Sequence, residues 1–137
     1  MSEPAPAEGY SPEQATPFQK SLELRWINLD TGVAVECDVS GDRVGPAGSL
    51  EGGVVATLID VAGGSAAIRE LKSLIATSDM TIHYLAPVRV GPARATAVPL
   101  RVGRDTAVIE VRVTDRGNAD RLCATSLLSF RVLRPSV

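Results

Sequence analysis

Residues 53–72, GVVATLIDVAGGSAAIRELK, read as a helix that is apolar or small on every side. A helix lying on a protein surface keeps a polar face, and one without such a face has to be buried or sandwiched. The rest of the chain must therefore enclose it. Gly52 or Gly53 opens this helix. The Gly63-Gly64 pair in its middle costs about 1 kcal/mol per glycine against alanine, which close approach of another element would offset. The longest weakly polar stretch, Gly52 to Ile68, is 17 residues with Asp60 at its centre, so it is too short and too interrupted for a membrane span.

The flanking segments supply strands. Ser21 to Asn28 alternates Leu22, Leu24 and Trp26 against Ser21, Glu23 and Arg25, and Val33 to Val39 alternates again across the Asp30-Thr31-Gly32 turn, so the two predict a hairpin. Ahead of them a short helical turn is predicted around Pro12 to Phe18. Four strands follow the helix: Ile75 to Leu85, Ala93 to Val102 with Pro99 marking a bulge or an edge, Thr106 to Thr114, and Arg121 to Leu133. Along the first of these, Thr77, Asp79, Thr81 and His83 share one face and Met80, Ile82 and Tyr84 the other. One buried helix against a meander-rich antiparallel sheet is an α+β architecture. Residues 1–11 read as a flexible tail and 12–137 as a single domain, the expectation for 137 residues.

Composition removes whole classes of function. Apolar residues make up 45% and charged residues 22%, a globular mixture. A net charge of −2 advertises no surface for nucleic acid or an anionic membrane. The start, MSEPAPAEGY, lacks the basic flank and apolar run of a signal peptide, so a soluble, cytoplasmic protein is expected. Cys37 and Cys123 lie 86 residues apart in no short motif, and His83 is the only histidine, so no metal cage is expected. No Gly-x-Ser-x-Gly elbow is present, and GPAGSLEGG matches neither the dinucleotide fingerprint nor the P-loop. Chemistry is left to carboxylates, hydroxyls and backbone amides.

Asp60 is the one charged residue between Gly52 and Ile68, in a helix with no solvent face. Aspartate is almost never buried unpaired. It is either satisfied by neighbouring hydroxyls, such as that of Thr57, or kept for chemistry. Before it, Ser40 to Gly53 is a 14-residue loop with five glycines. The first amides of a helix lack internal partners and stabilise negative charge. An oxyanion could form there, with glycine at 52 and 53 letting a substrate approach the backbone. An ordinary helix start accounts for the two glycines equally well.

The run Glu51-Gly52-Gly53-Val54-Val55-Ala56-Thr57-Leu58-Ile59-Asp60, followed by Thr77-Ser78-Asp79-Met80-Thr81-Ile82-His83-Tyr84-Leu85-Ala86-Pro87, resembles the hotdog-fold acyl-CoA thioesterases. Within them it is most similar to the branch related to the phenylacetate-degradation thioesterases. The likeness covers roughly residues 17–133. It implies a sheet wrapped around one helix, a small-molecule acyl-CoA substrate, no cofactor, and homodimers that commonly pair into tetramers. It also implies that Asp60 is the catalytic carboxylate, as general base or nucleophile. The Gly52 N–H would polarise the thioester carbonyl and Thr77 would help hold the attacking water. Arg89, and Arg104 in a Gly-Arg turn, become candidates for CoA phosphates, against the simpler reading of each as a solvated loop charge. Two positions depart from the family pattern: its histidine is Glu51 here, and its asparagine falls at Gly45.

Spacing adds a constraint of its own. Gly52 and Asp60 are eight residues apart, about 12 Å along a helix rising 1.5 Å per residue. An oxyanion donor and a base must both lie about 3 Å from the reacting atoms. The site therefore needs Gly52 from one chain and Asp60 from another. Two further readings stand beside hydrolysis. One is a non-catalytic acyl-CoA-binding or sensor domain, which Glu51 favours. The other is acyl-CoA hydration, which requires His83 beside the acid.

Overall fold

A computed structural model describes residues 14–133, so the expected tail over 1–11 lies outside the described residues. Helix α1 (Pro17–Ser21) leads into strands β1 (Arg25–Leu29) and β2 (Gly32–Cys37). After the glycine loop come helix α2 (Gly52–Leu71) and strands β3 (Ile75–Tyr84), β4 (Ala93–Val102), β5 (Thr106–Asp115) and β6 (Arg121–Val132). The strands form one antiparallel sheet in the order β1-β2-β4-β5-β6-β3. Helix α2 lies across it and touches β2, β3, β4, β5 and β6.

The helix is enclosed as its composition requires. Consecutive residues Leu58 and Ile59 are both fully buried, as are Ala62 and Ala67. Full burial of a leucine or isoleucine contributes about 1.5–3 kcal/mol. The sheet answers with Val33, Val35, Ile109, Val111, Val113, Leu128 and Phe130, inward on alternate positions. Lys72 ends α2 in a left-handed cap, its N–H donating to the Ile68 carbonyl.

The first helix and strand differ from expectation. Thr16 accepts the Gln19 N–H, the Gln19 side chain accepts the Thr16 N–H, and Pro17 opens the helix, so this capping box draws Ser21 into α1. The chain then turns at Glu23, whose φ is 51°, and extended structure begins only at Arg25. Pro99 does mark a bulge: the β4–β5 register shifts between Pro99 and Arg101.

A second bulge corrects the reading of β3. Thr77 stands opposite Phe130 while Asp79 stands opposite Ser129, leaving Ser78 as an extra residue. An inserted residue carries the side chains on either side of it to opposite faces. Thr77 therefore joins Ile82 and Tyr84 on the helix side, and Asp79, Thr81 and His83 face away.

Candidate active site

Two candidate groups lie along α2. Near its middle, Asp60 is half-buried, and its Oδ1 accepts a hydrogen bond from Thr77 Oγ1 at 2.8 Å. The bulge at Ser78 is what aims that hydroxyl at the helix. Thr57 is not the partner, since its hydroxyl donates to the Gly53 carbonyl of its own helix. Asp60 and Thr77 open onto a cavity of about 240 Å³ walled by Val61, Gly64, Ile68, Ile75 and Phe130.

The N-terminus of α2 carries the other candidate group. Val54 and Val55 donate to the Glu51 carbonyl, which leaves the earlier amides of Gly52 and Gly53 without intrahelical partners. Both glycines are exposed. They border a separate concavity of about 470 Å³ formed with Gly45, Pro46, Ser49 and Glu51. Asp60 does not line that concavity, and Gly52 does not line the first.

The glycine loop is held rather than loose. Gly45 N–H donates to Ser49 O and Gly48 N–H to Gly45 O, closing a tight turn that Gly48 completes at φ 77°. Leu50 N–H bonds to Val88 O and Glu51 N–H to Arg43 O. Arg89 reaches across to the Ala47 carbonyl at 2.7 Å, so in this chain it braces the loop. A Cβ on Gly45 would stand 3.3 Å from Glu51 Cγ, so the two positions where the chain departs from the pattern it resembles are neighbours.

Two residues in this region were not singled out from sequence for a role at the loop. The Tyr84 hydroxyl donates to the Gly52 carbonyl at 2.7 Å, which ties the end of β3 to the start of α2. Asp115, fully buried, accepts the amides of Arg89, Val90 and Gly91 at 3.0, 3.1 and 2.7 Å. Burial alone would push its carboxyl up. The amides of Gly91, Val90, Arg89 and Gly117 together outweigh that and hold it below the ordinary carboxylate value.

The profile of the thioesterase superfamily matches residues 47–121. The chain belongs to the thioesterase superfamily. It is a hydrolase of thioester bonds, and its helix wrapped in antiparallel sheet is the hotdog fold. A candidate esterase of Saccharolobus solfataricus is 30% identical over 127 residues, covering 91% of this chain and 89% of its own. The 1,4-dihydroxy-2-naphthoyl-CoA hydrolase of Listeria monocytogenes is 26% identical over 101 residues, covering 72% of this chain and 82% of its own. Among solved structures, a mutant of the phenylacetic acid degradation protein PaaI from Thermus thermophilus superposes with a TM-score of 0.75 at 26% identity. That match covers 86% of this chain and 100% of the other.

Other groups in this thioesterase stand apart from these two candidates. His83 lines a third concavity with Thr81, Glu110 and Arg112, on the sheet face away from α2, so it cannot pair with Asp60 for hydration within the chain. Arg104 sits in the β4–β5 turn and Arg89 before β4, about 30 Å apart at 3.3 Å per strand residue. One phosphate cannot touch both in a single chain. Cys37 and Cys123 are buried free thiols, and burial pushes both above the ordinary thiol value, so neither is a thiolate nucleophile at neutral pH. Among the described residues no group of His, Cys, Asp and Glu is arranged to hold a metal, and no helix is long and apolar enough to cross a membrane.

Proposed function

We propose that the protein is an acyl-CoA thioesterase whose site is assembled from two chains, Asp60 of one acting on a thioester polarised by the Gly52 amide of the other. The observation that carries this reading is the Asp60–Thr77 pair. The hydroxyl occupies Oδ1 at 2.8 Å, fixing the carboxylate and leaving Oδ2 for water or substrate. As general base, Asp60 takes a proton from a water whose oxygen attacks the acyl carbon. The carbonyl electron pair moves onto oxygen, where the Gly52 N–H meets it. Collapse breaks the C–S bond, and the leaving thiolate takes the proton back from Asp60. As nucleophile, the carboxylate attacks directly, the thiolate leaves, and water opens the resulting anhydride. The CoA carrier is favoured by the likeness to a hydrolase named for a CoA thioester.

Sharing between chains follows from the separation along α2, about 12 Å by helix rise. A route to it exists in β3, a ten-residue strand at the end of the sheet order. An exposed edge of that length presents unpaired backbone groups to another strand. Pairing β3 with its copy about a two-fold axis sets two α2 helices antiparallel and brings the Gly52 end of each towards Asp60 of the other.

Free-thiol release from a panel of acyl-CoA esters tests the reading. Asp60→Asn should keep the fold and lower kcat by about 100- to 10,000-fold. Wild-type turnover by Asp60→Asn on the best ester overturns the assignment.

A further inference from the structure

The two glycines that open α2 leave its first turn with little to hold it. Both are exposed, and a Cβ on Gly53 would meet nothing within 4 Å. Glycine is also the residue that gives up most backbone freedom on folding. The two peptide units that carry their amides are held differently. The Glu51–Gly52 unit is fixed by its own helix, because its carbonyl accepts Val54 and Val55 at 3.0 and 3.1 Å. The Gly52–Gly53 unit, with glycine on both sides, is the looser of the two. Its carbonyl is the one that receives the Tyr84 hydroxyl, at 2.7 Å.

Satisfying polar groups does not account for that bond. Tyr84 is exposed, so water would serve its hydroxyl. The Gly52 carbonyl lies inside a helix, where the amide four residues on serves it. Packing does not account for it either. The ring lies over Gly52, its Cζ 3.7 Å from where a Cβ would stand, and phenylalanine would make the same contact. What the hydroxyl adds is a hold on one peptide plane, and across that plane stands the Gly53 N–H. Carbonyl and N–H of a trans peptide point in opposite directions from one rigid unit. A carbonyl that accepts a hydrogen bond also makes that N–H a stronger donor. Helix amides point out of the N-terminus, and there Gly53 borders the concavity it shares with Gly52, Gly45, Ser49 and Glu51.

Resting on the reading of the Gly52 amide as the donor that meets the thioester oxygen, we propose that the Gly53 N–H is a second donor to that oxygen and that Tyr84 is its positioning residue. Successive amides at a helix start can turn to one anion. Such donors act because they are already in place when charge forms on the oxygen. Tyr84 touches no reacting atom and acts through the peptide. It does so from the strand whose bulge at Ser78 also delivers the Thr77 hydroxyl to Asp60, so β3 supports both candidate groups.

Tyr84→Phe is the test, since it removes the hydroxyl and keeps the ring. Two readouts are taken well below its melting temperature. One is thiol-release kinetics on whichever of acetyl-, benzoyl- and palmitoyl-CoA wild type cleaves fastest. The other is nitrogen-15 relaxation of the Gly52 and Gly53 amides in the free enzyme. The variant should lose about three- to tenfold in kcat, what one hydrogen bond is worth, with KM within about twofold, the mark of a contact made only in the transition state. The Gly53 amide should fall from an order parameter near 0.85 to below about 0.6 while Gly52 stays rigid. A loss in kcat of less than about threefold overturns the proposal, and so does a Gly53 amide as ordered as in wild type. Gly52→Pro separates the two readings, because proline fits the first helical position and removes only the amide hydrogen, and Glu51 at ψ 143° suits a following proline. If Gly52→Pro loses turnover while Tyr84→Phe keeps it, only the role of Tyr84 falls; if Gly52→Pro keeps it, both readings fall.

Discussion

Asp115 ends β5 with no surface open to solvent, and its carboxylate gathers the amides of Arg89, Val90 and Gly91. Alanine there leaves all three without their acceptor. A buried donor left unpaired costs about 1–3 kcal/mol, and these amides are only partly buried, so the low end applies to each. The sum is about 3 kcal/mol. Asparagine should do little better, since its one carbonyl oxygen can keep Gly91 while its NH₂ faces the Arg89 and Val90 donors. Urea unfolding should show both variants with a lowered midpoint and an unchanged slope. Acid pH supplies a second check. The carboxyl is held below its ordinary value, so its contribution is fully present above the unfolded value near 4 and is lost as pH falls through the lower folded one. The gap between wild type and Asp115→Asn should therefore narrow below about pH 4. A loss under about 1 kcal/mol in both variants, with a gap that does not change with pH, would refute the reasoning.

Mixing Asp60→Asn protomers with Gly52→Pro protomers, each inactive alone, should restore activity, because a heterodimer contains one intact pairing of amide and carboxylate. Heterodimers confirmed by mass that stay inactive count against a shared site. Gly63→Ala should destabilise by about 1–3 kcal/mol through its contacts with Leu128 and Phe130. Gly64→Ala should stabilise by about 0.5–1 kcal/mol, and thermal melts that rank the two the other way contradict the packing described for α2.

The long helix was legible because it is apolar on every side, and β4, β5 and β6 because their alternation coincides with burial. Helix α2 spans Gly52–Leu71 against an expected start at Gly52 or Gly53, and β4 matches its expected bounds. Ser21 to Asn28 misled because its alternation is real in the sequence, but the Thr16–Gln19 capping box and the turn at Glu23 act on the backbone first. The face of Thr77 was misread because a bulge leaves no residue signature: Ser78 is an ordinary strand residue by type, yet it decides whether a hydroxyl meets Asp60. Asp115 lies between the strands expected over Thr106 to Thr114 and Arg121 to Leu133, and nothing in the pattern says that three amides from another loop converge on it.

What Asp115 holds connects fold to site. The loop it gathers contributes the Val88 carbonyl to Leu50 N–H and the Arg89 guanidinium to the Ala47 carbonyl, so the turn leading into α2 is fixed from outside. Glu51 then starts the helix with backbone groups alone. Its N–H bonds to Arg43 O, its carbonyl accepts Val54 and Val55, and its side chain caps nothing. Presentation of the Gly52 amide therefore does not depend on which side chain stands at 51. A glutamate where the family pattern has histidine therefore leaves the backbone start of the helix as it is. The companion change lies against it, since a side chain at 45 would meet Glu51 Cγ at 3.3 Å. Restoring histidine at 51 alone leaves Gly45 empty, and restoring asparagine at 45 alone crowds Glu51. The two positions are neighbours in space, so their effects on turnover should be non-additive when both are changed together.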